Sequence, residues 1–558
     1  MMKKMRFLPI VLGTTMLASC VLVGCGGGSG DGGENGGGDK VEVRIGVEAK
    51  GYGKDFAYNL AEAYNKIQDE VEVKVVKATS QAGLHTNQLG LGAKRNNYDL
   101  FFTLTQSVFA TQNQANKEHW ADLSDVYDSV AEGYVESDGV KTIEDLMDPT
   151  YVSQFTYKDG KQYSIPYTSG MVGLLYNKTK WDETNAKLES AGKETLVLPK
   201  TTNEMFALFD KINTSEVKTA SEGAYPFSYS GLDSYMHFMF NTLWPQYMGE
   251  TEAKNFLEGK DENGVYTADI YKSKGREYAY EVVREMILKK RDDGKAAYVK
   301  SSDSAQQYNQ EQLSFMRGEA FFSCNGDWLE REVSKNFKPG DADVEMLRMP
   351  VMSKIVENDK IKADFTGSVE ENDAKLSTII AFIDEHYIDA DAEPTEADAT
   401  SLGIKLSTLE FIQHARLVRH ALIDFVAVVP EYSNELEETK DFLRFMYSKQ
   451  GQDIVLQSTY GCAAPMNIDY SQMDYWKTGT YYSKSRLELL SKCIPYGNAN
   501  NFPMQYLAST RLYPMGNDIP TYFGGDKPES ATFVMMKEYN SYVDTWADKM
   551  ELAGVKND

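Results

Sequence analysis

The stretch VEVRIGVEAKGYGKDFAYNLAEAYNKIQDEVEVKV, residues 41–75, changes its hydrophobic period twice. From Val41 to Val47 apolar residues alternate with polar ones, which is the pattern of a strand with one covered face. Residues at the spacing of one helix face follow: Phe56, Leu60, Tyr64 and Ile67. Alternation returns at 71–75. The sequence therefore predicts a strand, a helix and a strand in this order, as at the beginning of an α/β domain.

A third apolar segment extends this pattern. In NNYDLFFTLTQ, residues 96–106, the run Leu100–Leu104 has the length and composition of a buried strand. Strands that alternate with helices favour a mostly parallel sheet, and ligands bind beyond the carboxyl ends of its strands. Thr105 and Gln106 follow this strand directly, so we predict that they lie near a ligand. The alternative role for both is a helix cap.

The composition indicates a large globular protein. Of the 558 residues, 42% are apolar, 25% are charged and 12% are aromatic, so the chain has enough apolar surface for folded domains. One hydrophobic core rarely serves so long a chain, which predicts two or more lobes. The net charge of −25 argues against nucleic acid, itself a polyanion, as a partner.

The first 24 residues have the features of an export signal. Basic residues precede an apolar run at 7–23, which is too short and too abruptly ended for a typical membrane span. Leu22–Cys25 resembles the bacterial lipobox, which implies lipidation of Cys25 and a membrane anchor; Cys20 also fits the pattern. The Gly-rich residues 26–39 would then form a flexible tether. An uncleaved transmembrane anchor is the alternative.

Catalytic and metal-binding motifs are not recognisable in the sequence. It shows no dinucleotide-binding glycine pattern, phosphate-binding lysine loop or nucleophile elbow, and we predict neither a metal nor a cofactor. Cys324, Cys462 and Cys493 are widely spaced, which gives no metal motif and leaves open whether two of them form a disulfide. A pair of carboxylates that meets only in the fold leaves a secreted glycan hydrolase open.

Several segments together resemble the extracellular solute-binding proteins of bacterial ABC transporters, the carbohydrate-binding group that includes maltose-binding protein. The most specific is GKQYSIPYTSGMVGLLYNKTKWDE, residues 160–183, which resembles the family's hinge crossing. The other matching segments are NNYDLFFTLTQ at 96–106, EHWADLSDV at 118–126, LPKTTNEM at 198–205, FMRGEAFFSCNGDWLE at 315–330, VAVVPEYSNELEETKDFLRFMYSKQGQ at 426–452 and YGCAAP at 460–465. The segments extend over most of residues 41–470.

This resemblance implies two α/β lobes, each with a mostly parallel sheet flanked by helices, joined by hinge crossings and closing on a ligand. It divides the chain as follows: 1–24 signal peptide, 25–40 lipidated Cys and tether, 41–167 with about 356–460 lobe one, and 168–355 with about 461–558 lobe two. The chain is longer than a typical member of the family. The excess lies around 356–424 and at the C-terminal end.

The segment FMRGEAFFSCNGDWLEREV, residues 315–333, supplies the main ligand-binding prediction. By the resemblance, its apolar run anchors it in lobe two and the turn at 325–327 directs Trp328 to the cleft. There the ring would stack on the apolar face of a sugar, and Asp327, at the rim of the cleft, would accept hydrogen bonds from the sugar hydroxyl groups. The alternative is that Trp328 caps a helix and packs inward.

Three further aromatic residues are weaker candidates for ligand contact. Tyr52 lies between two glycines after the first strand, where the backbone can approach a ligand closely, although an ordinary turn tyrosine fits equally well. Tyr167 lies beside the presumed hinge. Trp244 follows Phe240 at helical spacing, which favours a core position slightly over ligand contact.

The sequence thus leads to the expectation of a lipid-anchored substrate-binding protein on the extracellular face of the cell membrane. It would act as a monomer without catalysis, bind an oligosaccharide or related glycoside and deliver it to ABC permease subunits. A receptor for peptides or other solutes with the same fold, a secreted glycan hydrolase and an adhesive surface lipoprotein are the alternatives. The identity, linkage and length of the ligand cannot be read from the sequence.

Overall fold

The computed structural model describes residues 40–558 except 82, 92, 96, 105–118, 135–138, 158, 233–234, 423–424, 498–529 and 553–558. The strands of the described residues are β1 Val41–Glu48, β2 Val71–Thr79, β3 Leu100–Leu104, β4 Ile165–Pro166, β5 Val172–Asn177, β6 Tyr225–Ser228, β7 Ala320–Gly326, β8 Val344–Met346, β9 Val418–Ala421, β10 Phe425–Val428 and β11 Ile494–Gly497.

The helices of the same residues are α1 Asp55–Ile67, α2 Leu84–Leu89, α3 Ser124–Tyr127, α4 Ile143–Leu146, α5 Pro149–Phe155, α6 Lys178–Ser190, α7 Thr202–Ile212, α8 Ser215–Ala220, α9 Met236–Met248, α10 Glu250–Glu258, α11 Lys274–Leu288, α12 Tyr308–Met316, α13 Leu329–Val333, α14 Val369–His386, α15 Glu396–Ser401, α16 Leu406–Leu417, α17 Leu436–Met446, α18 Lys449–Thr459, α19 Tyr481–Leu490, α20 Ala531–Val543 and α21 Trp546–Leu552. Short 3₁₀ segments lie at Ala93–Arg95, Ala268–Lys272, Asp303–Ala305, Ser353–Glu357, Lys362–Asp364, Tyr470–Gln472 and Asp474–Lys477.

Lobe one is built on a sheet with the strand order β2-β1-β3-β10-β4. The predicted elements β1, α1, β2 and β3 are confirmed, and the inward residues of β1, Val43, Ile45 and Val47, are fully buried. β1 is parallel to β2 and β3, whereas β10 is antiparallel to β3 and β4. The sheet is therefore mixed, because a strand from late in the chain enters it in the opposite direction.

Lobe two is built on a second sheet with the order β6-β7-β5-β8. Only β6 and β7 pair in parallel; β5 is antiparallel to both β7 and β8. The expectation of a mostly parallel sheet in each lobe is corrected here, since β5 leaves the crossing in one direction and β7 and β8 return in the other. The α/β fold class and the two lobes are as expected.

Among the described residues, crossing segments join the lobes at 166–172, at 421–422 and at 460–465. The Leu422 N–H donates to the Gly170 carbonyl at 2.8 Å, and the Ser169 N–H donates to the Ala463 carbonyl at 2.7 Å. Gly170 has a φ of +61°, and a Cβ atom there would lie 1.9 Å from the Leu422 carbonyl oxygen. Only glycine fits this position, where two crossings touch.

The residues from 353 to 417, where we expected much of the extra length of this chain, form a small helical core of their own. Residues from the Ser353–Glu357 turn through α14, α15 and α16 share buried side chains such as Ile355, Leu376, Ile380 and Leu409. α16 packs against α9, a helix of the lobe-two core. We expected residues from about 356 to 460 in lobe one. Within this range β10 joins the first sheet and α17 and α18 pack against α1, whereas α16 lies against lobe two.

The three cysteines of the described chain are buried and free, which answers the question of a disulfide among Cys324, Cys462 and Cys493. Within the described residues, no helix combines the length and the apolar character that crossing a bilayer requires. The same residues contain no cluster of three or more His, Cys, Asp or Glu side chains suited to a metal ion.

A buried carboxyl group in lobe two predicts a pH-dependent stability. The Glu311 carboxylate accepts hydrogen bonds from the hydroxyl groups of Ser228 at 2.5 Å and Ser323 at 2.7 Å, and the residue is 1% exposed. Burial raises the pKa of Glu311 from 4.5 to about 7, although both hydrogen bonds oppose the change. The folded chain therefore favours the protonated acid, and its stability falls as the pH rises from 4.5 through 7.

We expect Glu311→Gln to stabilise the protein at pH 8 by about 3 kcal/mol, because the amide oxygen keeps both hydrogen bonds without a buried charge. At pH 4 the gain should vanish. Urea unfolding of the variant and the wild type across this pH range measures the difference. Glu189→Gln, at an exposed helix position, serves as the control and should change stability little at either pH. An equal effect of Glu311→Gln at both pH values would contradict the burial argument.

Candidate functional site

Trp328 lies where the two lobes touch. It follows β7 and occupies the position before α13, and only 6% of the residue is exposed. Its ring packs edge-on against Tyr52 of lobe one, with centroids 6.1 Å apart, and against Phe238 of α9 at 5.8 Å. In this closed contact, Trp328 is covered from both sides and is not open to solvent.

Two glycines make room for this ring. A Cβ atom on Gly326 would lie 2.4 Å from the Trp328 ring, and one on Gly51 would lie 3.0 Å from it. Both distances are shorter than ordinary contacts between carbon atoms, so larger residues would displace the indole. Tyr235 adds a further aromatic contact, with a centroid distance of 6.3 Å. The ring thus occupies a fitted apolar slot between the loop after β1 and the start of α9.

Asp327, beside this slot, forms hydrogen bonds with residues of lobe one and of the crossing segments. Its Oδ1 accepts a hydrogen bond of 2.8 Å from the Tyr52 hydroxyl, and its N–H donates to the Met171 carbonyl at 2.9 Å. The Cys462 thiol donates to its carbonyl at 3.3 Å. The residue is 1% exposed. Asp327 is therefore an internal carboxylate in this state and not a residue of the cleft rim, where we expected it.

A buried arginine balances this carboxylate only partly. Arg486 of α19 places Nη1 3.8 Å from Asp327 Oδ2, and neither atom has a hydrogen-bond partner within the described residues. Burial raises the pKa of Asp327 to about 6, against the opposing effect of the Arg486 charge. Burial, and next the Asp327 charge, raise the pKa of the Tyr52 phenol well above its ordinary value. The site thus keeps polar groups that a bound solute could satisfy.

Of the other predicted site residues, Tyr167 lies close to the slot. Tyr167 is 2% exposed and stacks on Phe56 with centroids 5.1 Å apart. Phe425 contacts both Tyr167 and Tyr52, at 6.0 and 4.6 Å, so Tyr167 lies one ring behind Tyr52. Thr105 and Gln106 lie outside the described residues, as do Cys25 and Cys20.

Trp244 belongs to a different environment, the core of lobe two. It is 2% exposed, its Nε1–H donates to Asn241 at 3.2 Å, and its ring contacts Phe256 and Tyr496 at 4.6 and 5.1 Å. The packing matches the core position that the helical spacing favoured. The structure brings Tyr52, Asp327 and Trp328 together and leaves Trp244 apart from them.

Sequence reasoning missed several residues of this site. Tyr235 and Phe238 flank the start of α9, and their signal was the run of aromatic residues in YMHFMF at 235–240. Arg331 donates to Asp55 across the lobes at 2.6 Å, and Arg486 lies beside Asp327. Neither arginine carries a sequence signal, since single arginines on helices are usually solvated.

Comparisons with solved structures agree with the fold. The GacH receptor of Streptomyces glaucescens, solved unliganded and with acarbose, is 13% identical, and the match covers 93% of this chain and 100% of that one with a TM-score of 0.53. RafE from Streptococcus pneumoniae is 14% identical with coverages of 91% and 99% and a TM-score of 0.54. A chitin oligosaccharide binding protein is 14% identical with coverages of 91% and 100% and a TM-score of 0.55.

The sequence itself also matches a known family. A search of curated protein sequences found no match. The family model described as bacterial extracellular solute-binding protein matches residues 59–383, which is more than half of the chain and includes Trp328 together with the first crossing. The chain therefore belongs to the bacterial extracellular solute-binding proteins.

Proposed function

We propose that this protein is the substrate-binding lipoprotein of an ABC importer and that it captures an oligosaccharide or related glycoside between its lobes. It has no catalytic activity of its own, acts as a monomer, and hands the ligand to permease subunits. Cys25 carries the lipid that holds it at the extracellular face of the membrane.

One observation carries the proposal. Tyr52 and Trp328, from opposite lobes, pack against each other, and the Tyr52 hydroxyl donates a hydrogen bond to the Asp327 carboxylate. Stacking rings beside a hydrogen-bonding carboxylate suit a sugar, which has apolar faces and a rim of hydroxyl groups. The similarity to receptors solved with acarbose and raffinose supports the same ligand class. A peptide would need a site rich in backbone hydrogen-bonding groups. The described residues of this slot contribute mainly side-chain groups.

Domain closure supplies the mechanism. A ligand that contacts both lobes binds the closed arrangement more tightly than the open one and raises its population. In the structure, the Tyr52–Asp327 hydrogen bond and the Arg331–Asp55 ion pair already connect the lobes. We propose that the lobes first open, that a sugar hydroxyl then takes the place of the Tyr52 phenol on Asp327, and that the lobes close on the ligand to give the loaded form that the permease recognises.

Thermal-shift measurements against oligosaccharides, monosaccharides and short peptides test the ligand class. We expect an oligosaccharide to raise the melting temperature, because binding to the folded state stabilises it by mass action. Chromatography of the same mixture should recover the sugar unchanged. Shortened products would favour a hydrolase, a shift with peptides alone would favour a peptide receptor, and adhesion to cells without any solute-induced shift would favour an adhesin.

Replacing Cys25 with Ser tests the anchor. We expect the variant to lose fatty-acid labelling and to move from the membrane fraction to the medium, because the lipid supplies membrane affinity that an acidic domain lacks. Cys20→Ser is the matched control and should remain labelled. Labelling that survives in the Cys25 variant and disappears in the Cys20 variant would assign the anchor to Cys20.

A further inference from the structure

A pocket of about 700 Å³ lies beside the end of β8, and its lining residues do not include those of the slot around Trp328. Its walls are the C-terminal ends of α14 and α16, the segment before α7, and α19 with the residues before it. The pocket is thus formed by elements from several separate parts of the chain.

Positive charge dominates this pocket, although the protein is strongly acidic as a whole. The cationic residues that line it are Lys200, Arg348, Arg416, Lys484 and Lys492. The acidic ones are Glu345, Asp384 and Glu488. Two of these acids are already engaged: Glu345 accepts hydrogen bonds from two tyrosine hydroxyl groups, and Asp384 is held by Arg416 at 2.7 and 2.8 Å. In a chain of net charge −25, this is a local excess of positive charge.

Arg348 has one buried nitrogen that the described part of the fold leaves without a hydrogen bond. Its Nη1 is buried, and the described residues offer it neither a hydrogen-bond partner nor an ion pair. Arg416, by contrast, binds Asp384 and also donates to the Arg348 and Met349 carbonyls at 3.3 and 3.0 Å. Burial lowers the pKa of Arg348 to about 10. The charges of Asp384 and Asp389 offset this burial only in part, so an anion beside the guanidinium would stabilise the fold.

The same pocket contains aromatic walls. Trp476 and Tyr481 line it, and Lys484 Nζ lies 5.8 Å from the centre of the Trp476 ring. A guanidinium binds a carboxylate through two parallel hydrogen bonds, and an indole offers a flat apolar surface to a ring. We propose that this pocket is a second binding site, for a small organic acid whose carboxylate is attached to a ring, as in a hexuronic acid. Arg348 binds the carboxylate, and Lys492 and Lys484 add long-range attraction.

Calorimetric titration of the whole protein with D-glucuronate, D-glucose and inorganic sulfate tests this site. Glucuronate should bind with a dissociation constant in the millimolar range, and added salt should weaken this binding.

Arg348→Gln should weaken glucuronate binding roughly tenfold to a hundredfold, because charge-assisted hydrogen bonds are lost. Lys492→Gln, a milder surface change, should weaken it by a few fold, which keeps the test valid even if Arg348→Gln folds poorly. Arg317→Gln, an exposed arginine outside the pocket, is the matched control and should bind as the wild type does.

Trp328→Ala distinguishes this pocket from the slot between the lobes. The proposal requires that Trp328→Ala keeps glucuronate binding while Arg348→Gln loses it. The reverse pattern would place the acid in the slot and overturn the second site. Sulfate binding as strong as that of glucuronate would overturn the ring-carboxylate class, and the lack of any glucuronate binding to the wild type would overturn the site altogether.

Discussion

Replacing Arg276 with Met should lower the free energy of unfolding by about 3–5 kcal/mol, because it leaves the Glu538 carboxylate buried without its counter-charge. Both side chains are fully buried, and Arg276 Nη2 lies 2.6 Å from each Glu538 oxygen. Tyr280 also donates to Glu538, at 3.1 Å. This pair fastens α20, near the end of the described chain, to α11 in lobe two.

The loss should grow with pH. Burial raises the pKa of Glu538, and Arg276 opposes that rise. Without Arg276 the folded protein favours the protonated carboxyl still more strongly, so the variant should lose further stability between pH 5 and pH 8, as for any acid whose folded pKa is raised. Urea unfolding at both pH values measures this.

A control and a double variant sharpen the result. Lys66→Met removes an exposed ion pair with Glu62, in which the side chains are 70% and 66% exposed, and should change stability little. The double change Arg276→Met with Glu538→Leu should recover much of the loss, since no buried charge remains. If the double variant is no more stable than Arg276→Met alone, the cost lies in packing and not in the orphaned carboxylate.

The local pattern of the sequence determines much of lobe one in advance. The alternation in β1 and the helical spacing in α1 follow directly from which side chains are buried, so both elements could be predicted within a residue or two. Strand direction has no such signature. β5 and β10 have the same apolar character as parallel strands, and only the path of the crossings makes them antiparallel to their neighbours.

The candidate site could be predicted only in part for a similar reason. The segment 315–333 marks Trp328 by the abrupt end of an apolar run, but its burial depends on Gly51 and Phe238, which are distant in sequence. Arg486 lies on a helix that looks ordinary, and its role arises from Asp327 in another segment. Partnerships between distant segments depend on tertiary packing, and a single sequence carries no pattern for them.

Replacing Trp328 should affect both folding stability and ligand binding, because the ring packs between the lobes and is also the proposed contact for the sugar. It is 6% exposed and fills a slot that both lobes enclose, so removing the ring should create a cavity. We expect Trp328→Ala to lower the free energy of unfolding by roughly 3–5 kcal/mol. If the ring also stacks on the ligand after the lobes open, the folded variant should bind sugar about 30-fold more weakly, which corresponds to about 2 kcal/mol.

Trp244→Ala separates these two effects, since it removes a tryptophan of similar burial, 2% exposed, from the core of lobe two. Both variants should melt earlier, but only Trp328→Ala should weaken sugar binding when titrations are made well below the melting temperature. Trp328→Phe should regain part of the stability and part of the affinity, because a smaller ring still offers a flat face. Wild-type affinity in folded Trp328→Ala would mean that the tryptophan serves packing alone. In that case the ligand would have to contact other residues of the cleft, and the Tyr52–Asp327 contact would be the next to test, since it joins the lobes without depending on the indole.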